Sequence, residues 1–135
     1  MNGPLPARWA PYLLSVLRIV AAGLFMVHGA QKLFAFPVAP PGYPLAPLSQ
    51  IWFAGVLALF GGALLLLGFL TRPVAFLLSG EMAVAYFQAH APRGAWPILN
   101  GGEPGVLFCF LWLYFAAAGA GPWSVDAWRR TVRKP

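Results

Sequence analysis

Four long apolar blocks, separated by segments rich in proline, glycine or charge, dominate the pattern of this 135-residue chain. A helix needs about 17 to 25 residues to cross the hydrocarbon core of a bilayer. Backbone groups in lipid must hydrogen-bond within their own segment, so each block is predicted to be a helix. The pattern therefore predicts an all-α fold, an integral membrane four-helix bundle forming one domain over residues 1–135. Its helices are predicted at about 12–36, 51–70, 74–91 and 104–121, followed by a short interfacial tail at 122–135.

The segments between the blocks carry turn and loop signals. Residues 37–47 are rich in proline, Thr71-Arg72-Pro73 is predicted to be a tight turn, and residues 92–103 are predicted to be a loop. The first block lacks the small-residue cleavage site of a secretory signal, which favours a retained span.

Composition and charge agree with a bilayer environment. Sixty per cent of the residues are hydrophobic and 9% are charged, against about 25% charged in an ordinary soluble domain. The net charge is +6, but the basic residues sit mainly at block ends, which indicates topology signals and not a nucleic-acid surface.

The positive-inside rule orients the bundle. An even number of spans puts both termini on one side, which carries seven basic residues against two, so both termini are predicted to be cytoplasmic and the loops 37–47 and 92–103 to face outward. The seven are Arg8, Arg18, Arg72, Arg129, Arg130, Arg133 and Lys134, and the two are Lys32 and Arg93.

Ionisable residues inside predicted spans are costly and are functional suspects, and Arg18 and Glu81 are the first of them. Arg18 and Glu81 each lie about 10 Å inside the cytoplasmic start of their helices, so they are predicted to form an intramembrane ion pair. The pair could be structural, or Arg18 could extend to the inner interface. Proton handling and anion binding are the functional alternatives.

A second polar group lies toward the outer ends of the helices. Its members could converge on an outward-facing ligand pocket between helix 1, helix 3 and the 92–103 loop, or could simply tie loops to helix ends. They are His28, Gln31, Lys32, Gln88, His90, Asn100 and Glu103. Their spacing gives no positive evidence for a metal site, and haem ligation by two histidines would require His28 to face His90.

One cysteine and one stripe of small residues complete the pattern. Cys109 stands alone, which excludes an intramolecular disulfide and a zinc site built on several thiolates. Ala54, Ala58 and Gly62 repeat every four residues. Such a stripe lets helices approach closely, either within the bundle or between two copies in a homo-oligomer.

Several segments together resemble the DoxX family of small bacterial and archaeal membrane proteins. They read LRIVAAGLFMVHGAQKLF, FGGALLLLGFLTRPVAF, GEMAVAYFQAHAPRGAWPILNGGE and GAGPWSVDA, and span about residues 12–128. The resemblance implies a four-helix membrane bundle in a prokaryotic inner membrane, associated with redox systems such as thiosulfate:quinone oxidoreductase. The family's recurrent polar positions match Arg18, His28, Gly29, Lys32, Glu81, His90, Asn100 and Glu103.

One position departs from the family pattern. Many relatives carry a glutamate three residues before the Gly-Gly pair, where this chain has Ala58. If that glutamate accepts protons in relatives, either Glu81 replaces it here or the chain only binds and scaffolds.

Three functions remain open from the sequence. The first is a membrane subunit of a quinone-linked or thiol- and sulfur-linked redox system, with quinone as the cofactor and a protein partner supplying electrons, since the chain holds no complete catalytic motif. The second is a non-enzymatic membrane anchor or assembly subunit. The third is binding or transport of a small molecule or lipid. A nucleic-acid partner is not expected.

Overall fold

The computed structural model describes residues 3–133, and within this range the chain is helical and has no strand. The prediction of an all-α fold is confirmed for these residues. In chain order the helices are α1 (Ala10–Phe34), α2 (Gln50–Leu67), α3 (Thr71–Ala85), α4 (Pro97–Asn100), α5 (Glu103–Ala118) and α6 (Val125–Val132). Lys134, one of the residues used above to predict orientation, lies outside the described range.

Short irregular helical turns extend or interrupt the long helices. A 3-10 turn, Ala7–Trp9, leads into α1. A π-helical turn, Leu57–Gly61, lies in the middle of α2. A second π-helical turn, Tyr86–His90, continues α3 and is followed by a 3-10 turn at Ala91–Arg93. The two π-helical turns each widen the helix locally, and such turns are frequent near functional sites.

The connection between α2 and α3 differs from the prediction of a turn at Thr71-Arg72-Pro73. The chain reverses at Gly68–Leu70, where Gly68 and Leu70 take left-handed backbone angles (φ 67° and 51°). Thr71 already begins α3. Proline is tolerated in the first turn of a helix because amides there have no intrahelical acceptor, so Pro73 does not end the turn but sits inside α3.

Four long helices, α1, α2, α3 and α5, pack around one core. Side chains of α1, α2, α3 and α5 all contribute to it, including Phe25, Leu65, Leu78 and Trp112. Small residues bring the backbones together: Gly62 packs on Met26 of α1, and Gly61 packs on Leu78 of α3. The small-residue stripe of α2 therefore contributes to packing inside the bundle.

The outer surface of the bundle is apolar. Large side chains such as Val20, Leu24, Phe60, Phe76 and Phe110 are 55–67% exposed, although a water-soluble protein rarely exposes continuous apolar surface on this scale. Ala7–Phe34 and Gln50–Leu67 are long and apolar enough to cross a membrane, whereas the apolar α5 is shorter.

The two ends of the bundle are named here by the segments that lie at each. We call the end with the start of α1, the Gly68–Leu70 turn and α6 the tail end. We call the opposite end, with the α1–α2 loop and residues 86–105, the cavity end.

Candidate functional site

A cavity of about 550 Å³ opens at the cavity end, between α1, α3 and α5. Four of the seven side chains predicted to form a pocket line it, namely His28, Lys32, Gln88 and His90. Its volume is in the range of small-molecule sites.

The π-helical turn of α3 forms one wall of the cavity. Tyr86, Gln88 and His90 of this turn all line it. The Nδ1 atom of His90 lies 3.0 Å from the carbonyl oxygen of Asn100. A carbonyl only accepts hydrogen bonds, so Nδ1 carries the proton, and Nε2 of the neutral ring is left as an acceptor.

Aromatic and cationic groups of α1 and α5 form the opposite wall. The ring of His28 packs edge-on against Phe108, with centroids 6.2 Å apart, and Phe25 lies 5.2 Å from Phe108. The Lys32 ammonium donates to the carbonyl oxygen of His28 at 3.4 Å. One turn of α1 thus places an imidazole, packed against Phe108, and an ammonium on the cavity wall.

Gln50, at the start of α2, is a cavity residue that the sequence analysis missed. Its amide nitrogen donates to the Gln88 side-chain oxygen at 2.8 Å, which joins α2 to α3 at the mouth. Ile51 and Val84 also line the cavity and are 55% and 48% exposed. The cavity lining therefore includes apolar side chains of α2 and α3 that are exposed on the outer surface. The sequence feature that could have indicated the role of Gln50 is a glutamine at the start of an apolar block.

Three predicted pocket residues do not line the cavity. Asn100 is buried and organises the loop: it donates to the Gly94 carbonyl oxygen at 2.8 Å and accepts from the Gly102 amide at 2.8 Å. Glu103 is exposed at the start of α5. Gln31 is half-buried beside Lys32 but outside the cavity. For Asn100, the alternative reading of a residue that ties a loop to a helix end is the one observed.

The predicted ion pair between Arg18 and Glu81 is not formed. The guanidinium of Arg18 instead donates to the carbonyl oxygens of Ala120 and Trp123, the latter at 2.6 Å. A helical side chain leans toward the N-terminus of its helix, which carries the Arg18 guanidinium to the tail end. Glu81 lies beside the first half of α2, where it lines a groove with Phe53, Ala54 and Leu57.

Asp126 organises the tail end and was also missed. Its carboxylate accepts from the amides of Leu70 at 3.0 Å and Thr71 at 2.9 Å, capping the start of α3. Burial would raise the pKa of Asp126, but these hydrogen bonds from Thr71 and Leu70, together with the charge of Arg130, outweigh it, so this pKa lies below its ordinary value. It is the only aspartate in the sequence, and this is the sequence feature that could have drawn attention to it.

Comparisons with known proteins show what the chain is similar to. The family model described as DoxX matches residues 13–91. An uncharacterised protein of Haemophilus influenzae is 44% identical over 125 residues, covering 88% of this chain and 92% of the relative. No solved structure matches the chain. The chain therefore belongs to the DoxX family of membrane proteins.

Proposed function

We propose that this protein is a multi-pass membrane subunit of a redox system, and that the cavity between α1, α3 and α5 binds the head group of a lipid-soluble quinone. The observation that supports it best is that the cavity is lined both by polar side chains and by Ile51 and Val84, two apolar side chains exposed on the outer surface. A ligand that dissolves in lipid can enter past these side chains without crossing water.

The lining groups fit the chemistry of a quinone head group. The carbonyl oxygens of a quinone accept hydrogen bonds, and Lys32 and the side-chain amides of Gln50 and Gln88 are donors. Phe25 and Phe108 offer apolar ring surfaces, against which another ring packs favourably. Few polar groups set in an apolar wall are typical of ligand sites.

A bound quinone would supply electron and proton acceptance, and residues of this chain would hold the protons. Lys32 lines the cavity, and Glu81 lines a neighbouring groove that shares Gln50 and Val84 with the cavity. The buried Oε2 atom of Glu81 has no hydrogen-bond partner within the described residues. A carboxylate so placed can accept a proton behind Lys32, which is the step that the resemblance left open at Ala58.

The proposal places the four long helices across the inner membrane, with the cavity end outward and the tail end cytoplasmic. The apolar outer surface and the excess of basic residues at the tail end support this placement. A separate protein partner supplies the electrons in this proposal.

Binding of a short-chain ubiquinone to the purified full-length protein in lipid nanodiscs tests the proposal. Replacing Lys32→Met keeps the apolar stem and removes the ammonium, and loss of a hydrogen bond from a charged group costs about 1.5–3 kcal/mol. We expect affinity about tenfold weaker or worse. Gln31→Ala is the matched control, since Gln31 is adjacent in sequence but outside the cavity.

Saturable binding that weakens in the Lys32 variant and not in the Gln31 variant would support the quinone site. No saturable binding to the folded wild-type protein, or equal affinity in both variants, would overturn it and favour the anchoring function.

A further inference from the structure

The tail end holds a second cavity, of about 410 Å³, that is strongly basic. We call it the basic cavity. Four guanidinium groups and one carboxylate, that of Asp126, line it, a net charge of +3. The four are Arg72, Arg129, Arg130 and Arg133.

Neighbouring groups hold two of these arginines in place. The Arg129 guanidinium lies over the ring of Phe69, 5.2 Å from its centroid. Arg72 packs beside Gly119, where an added Cβ atom would lie 3.5 Å from the Arg72 Nε and Nη2 atoms. The Asp126 carboxylate is engaged by the amides of Leu70 and Thr71. It therefore offsets only part of the positive charge.

An apolar groove of about 920 Å³ runs from the basic cavity along α1 and α5. Leu13, Leu17, Tyr114 and Ala118 are among its lining residues. The basic cavity and the groove share Gly119, Ala120 and Arg130. A cationic recess is thus continuous with an apolar channel on the outside of the bundle.

We propose that this composite site binds one anionic phospholipid, with its phosphate in the basic cavity and an acyl chain in the apolar groove. Guanidinium groups match phosphate oxygens in charge and hydrogen-bond geometry. The exposed side chains of Trp123 and Trp128 lie at the same end, as expected at a membrane interface. The site lies at the opposite end from the quinone cavity and does not depend on it.

A lipid is the occupant that fits because the basic cavity and the apolar groove adjoin each other. A free phosphate would need only the arginines, and it would leave the apolar groove without an occupant. A neutral lipid would fill the groove but leave the excess positive charge uncompensated. An anionic phospholipid satisfies both parts.

Native mass spectrometry of the purified full-length protein tests the site, with dioleoylphosphatidylglycerol as the probe and dioleoylphosphatidylcholine as the neutral lipid. We expect one phosphatidylglycerol per chain to be retained in preference to phosphatidylcholine. The double variant Arg72→Gln/Arg130→Gln should bind about 30-fold more weakly, which corresponds to about 1 kcal/mol for each arginine near an anionic lipid.

The double variant Arg8→Gln/Arg93→Gln is the matched control. It removes the same charge from residues that line neither the basic cavity nor the apolar groove, and it should keep the wild-type affinity. Equal weakening in both double variants would overturn the proposal, since it would show a response to net charge alone.

A variant of the groove and a competition experiment test the acyl-chain part of the site separately. Leu17→Trp changes an exposed residue of the groove, so it should fold even if the arginine variant does not, and it should reduce retention of the lipid. Glycerol phosphate, which has no acyl chain, should not displace the lipid at millimolar concentration. Displacement by glycerol phosphate, or full retention in the Leu17 variant, would show a phosphate site without a lipid and overturn the assignment.

Discussion

At the scale of single residues, Arg18 serves the architecture of the bundle. Besides its bonds to Ala120 and Trp123, its guanidinium lies 3.5 Å from the Leu66 carbonyl oxygen at the end of α2. The last carbonyls of a helix have no intrahelical donor, and Arg18 supplies donors to such groups while only 1% exposed. Its burial is therefore explained by backbone contacts that span more than 100 residues.

Asp126 makes a prediction about acid stability. Its pKa is below the ordinary value of 3.8, so its stabilising contribution is complete above about pH 5 and is lost as the pH falls through the lowered pKa of the folded protein. Replacing Asp126→Asn should lower the free energy of unfolding by about 1 kcal/mol at neutral pH, as loss of a helix cap does. Thermal unfolding in detergent between pH 7 and 3 measures both effects.

The control for this pH series is Glu103→Gln, which removes an exposed carboxylate at the start of α5. The difference in stability between wild type and Asp126→Asn should shrink toward pH 3. A difference that stays constant over the series would contradict a role for the ionised carboxylate.

At the scale of elements, α1 and α2 touch backbone to backbone at Gly29. A Cβ atom added there would lie 2.5 Å from the Leu59 amide nitrogen and 2.9 Å from the Gly55 carbonyl oxygen. Backbone cannot move aside as a flexible side chain can. The close contact falls on the π-helical turn of α2, so the two features together fix how α1 and α2 meet.

Gly29→Ala should therefore destabilise the bundle by about 1–3 kcal/mol, the usual cost of overpacking. Gly23→Ala lies in the same helix, and its added Cβ would meet nothing within 4 Å, so it should be neutral or should stabilise by up to about 1 kcal/mol through helix propensity. Chemical or thermal unfolding of the two variants side by side measures the difference. Equal stability of the two variants would show that the contact is not tight.

Element type followed directly from the apolar blocks, but exact ends and irregular turns did not. The α2–α3 turn was misplaced because Pro73 was read as a breaker, although proline fits the first turn of a helix. The π-helical turn at Tyr86–His90 leaves no mark on the apolar pattern. It nevertheless sets which side chains of α3 reach the cavity.

The apolar pattern likewise explains which site residues could be predicted and which could not. His28, Lys32, Gln88 and His90 were predicted because polar residues in apolar blocks must face an interior. Asn100 was grouped with them because its loop follows the outer end of the third predicted helix, whereas its hydrogen bonds go to the backbone of its own loop. The partners of Arg18 and Asp126 are backbone groups, which carry no residue-type signal in a sequence.

At the scale of the whole molecule, an apolar outer surface separates two polar ends. The proposed orientation, with the cavity end outward and the tail end cytoplasmic, predicts which end can be labelled from outside the cell. In single-site variants of the intact protein, Val38→Cys should react with a membrane-impermeant maleimide from outside the cell. Thr131→Cys should react only after permeabilisation. Wild-type protein, with Cys109 half-buried in α5, gives the background. Labelling of Thr131→Cys in intact cells would contradict the proposed orientation.

The long reach of Arg18 has a consequence for biosynthesis. Its acceptors at Ala120 and Trp123 lie 102 and 105 residues downstream, so when α1 leaves the ribosome none of them has been translated. Until residues 120–123 have been synthesised, the Arg18 guanidinium of α1 lacks these two acceptors. These two contacts can therefore form only after that point. A chain stalled before Ala120 lacks both of these acceptors for the Arg18 guanidinium.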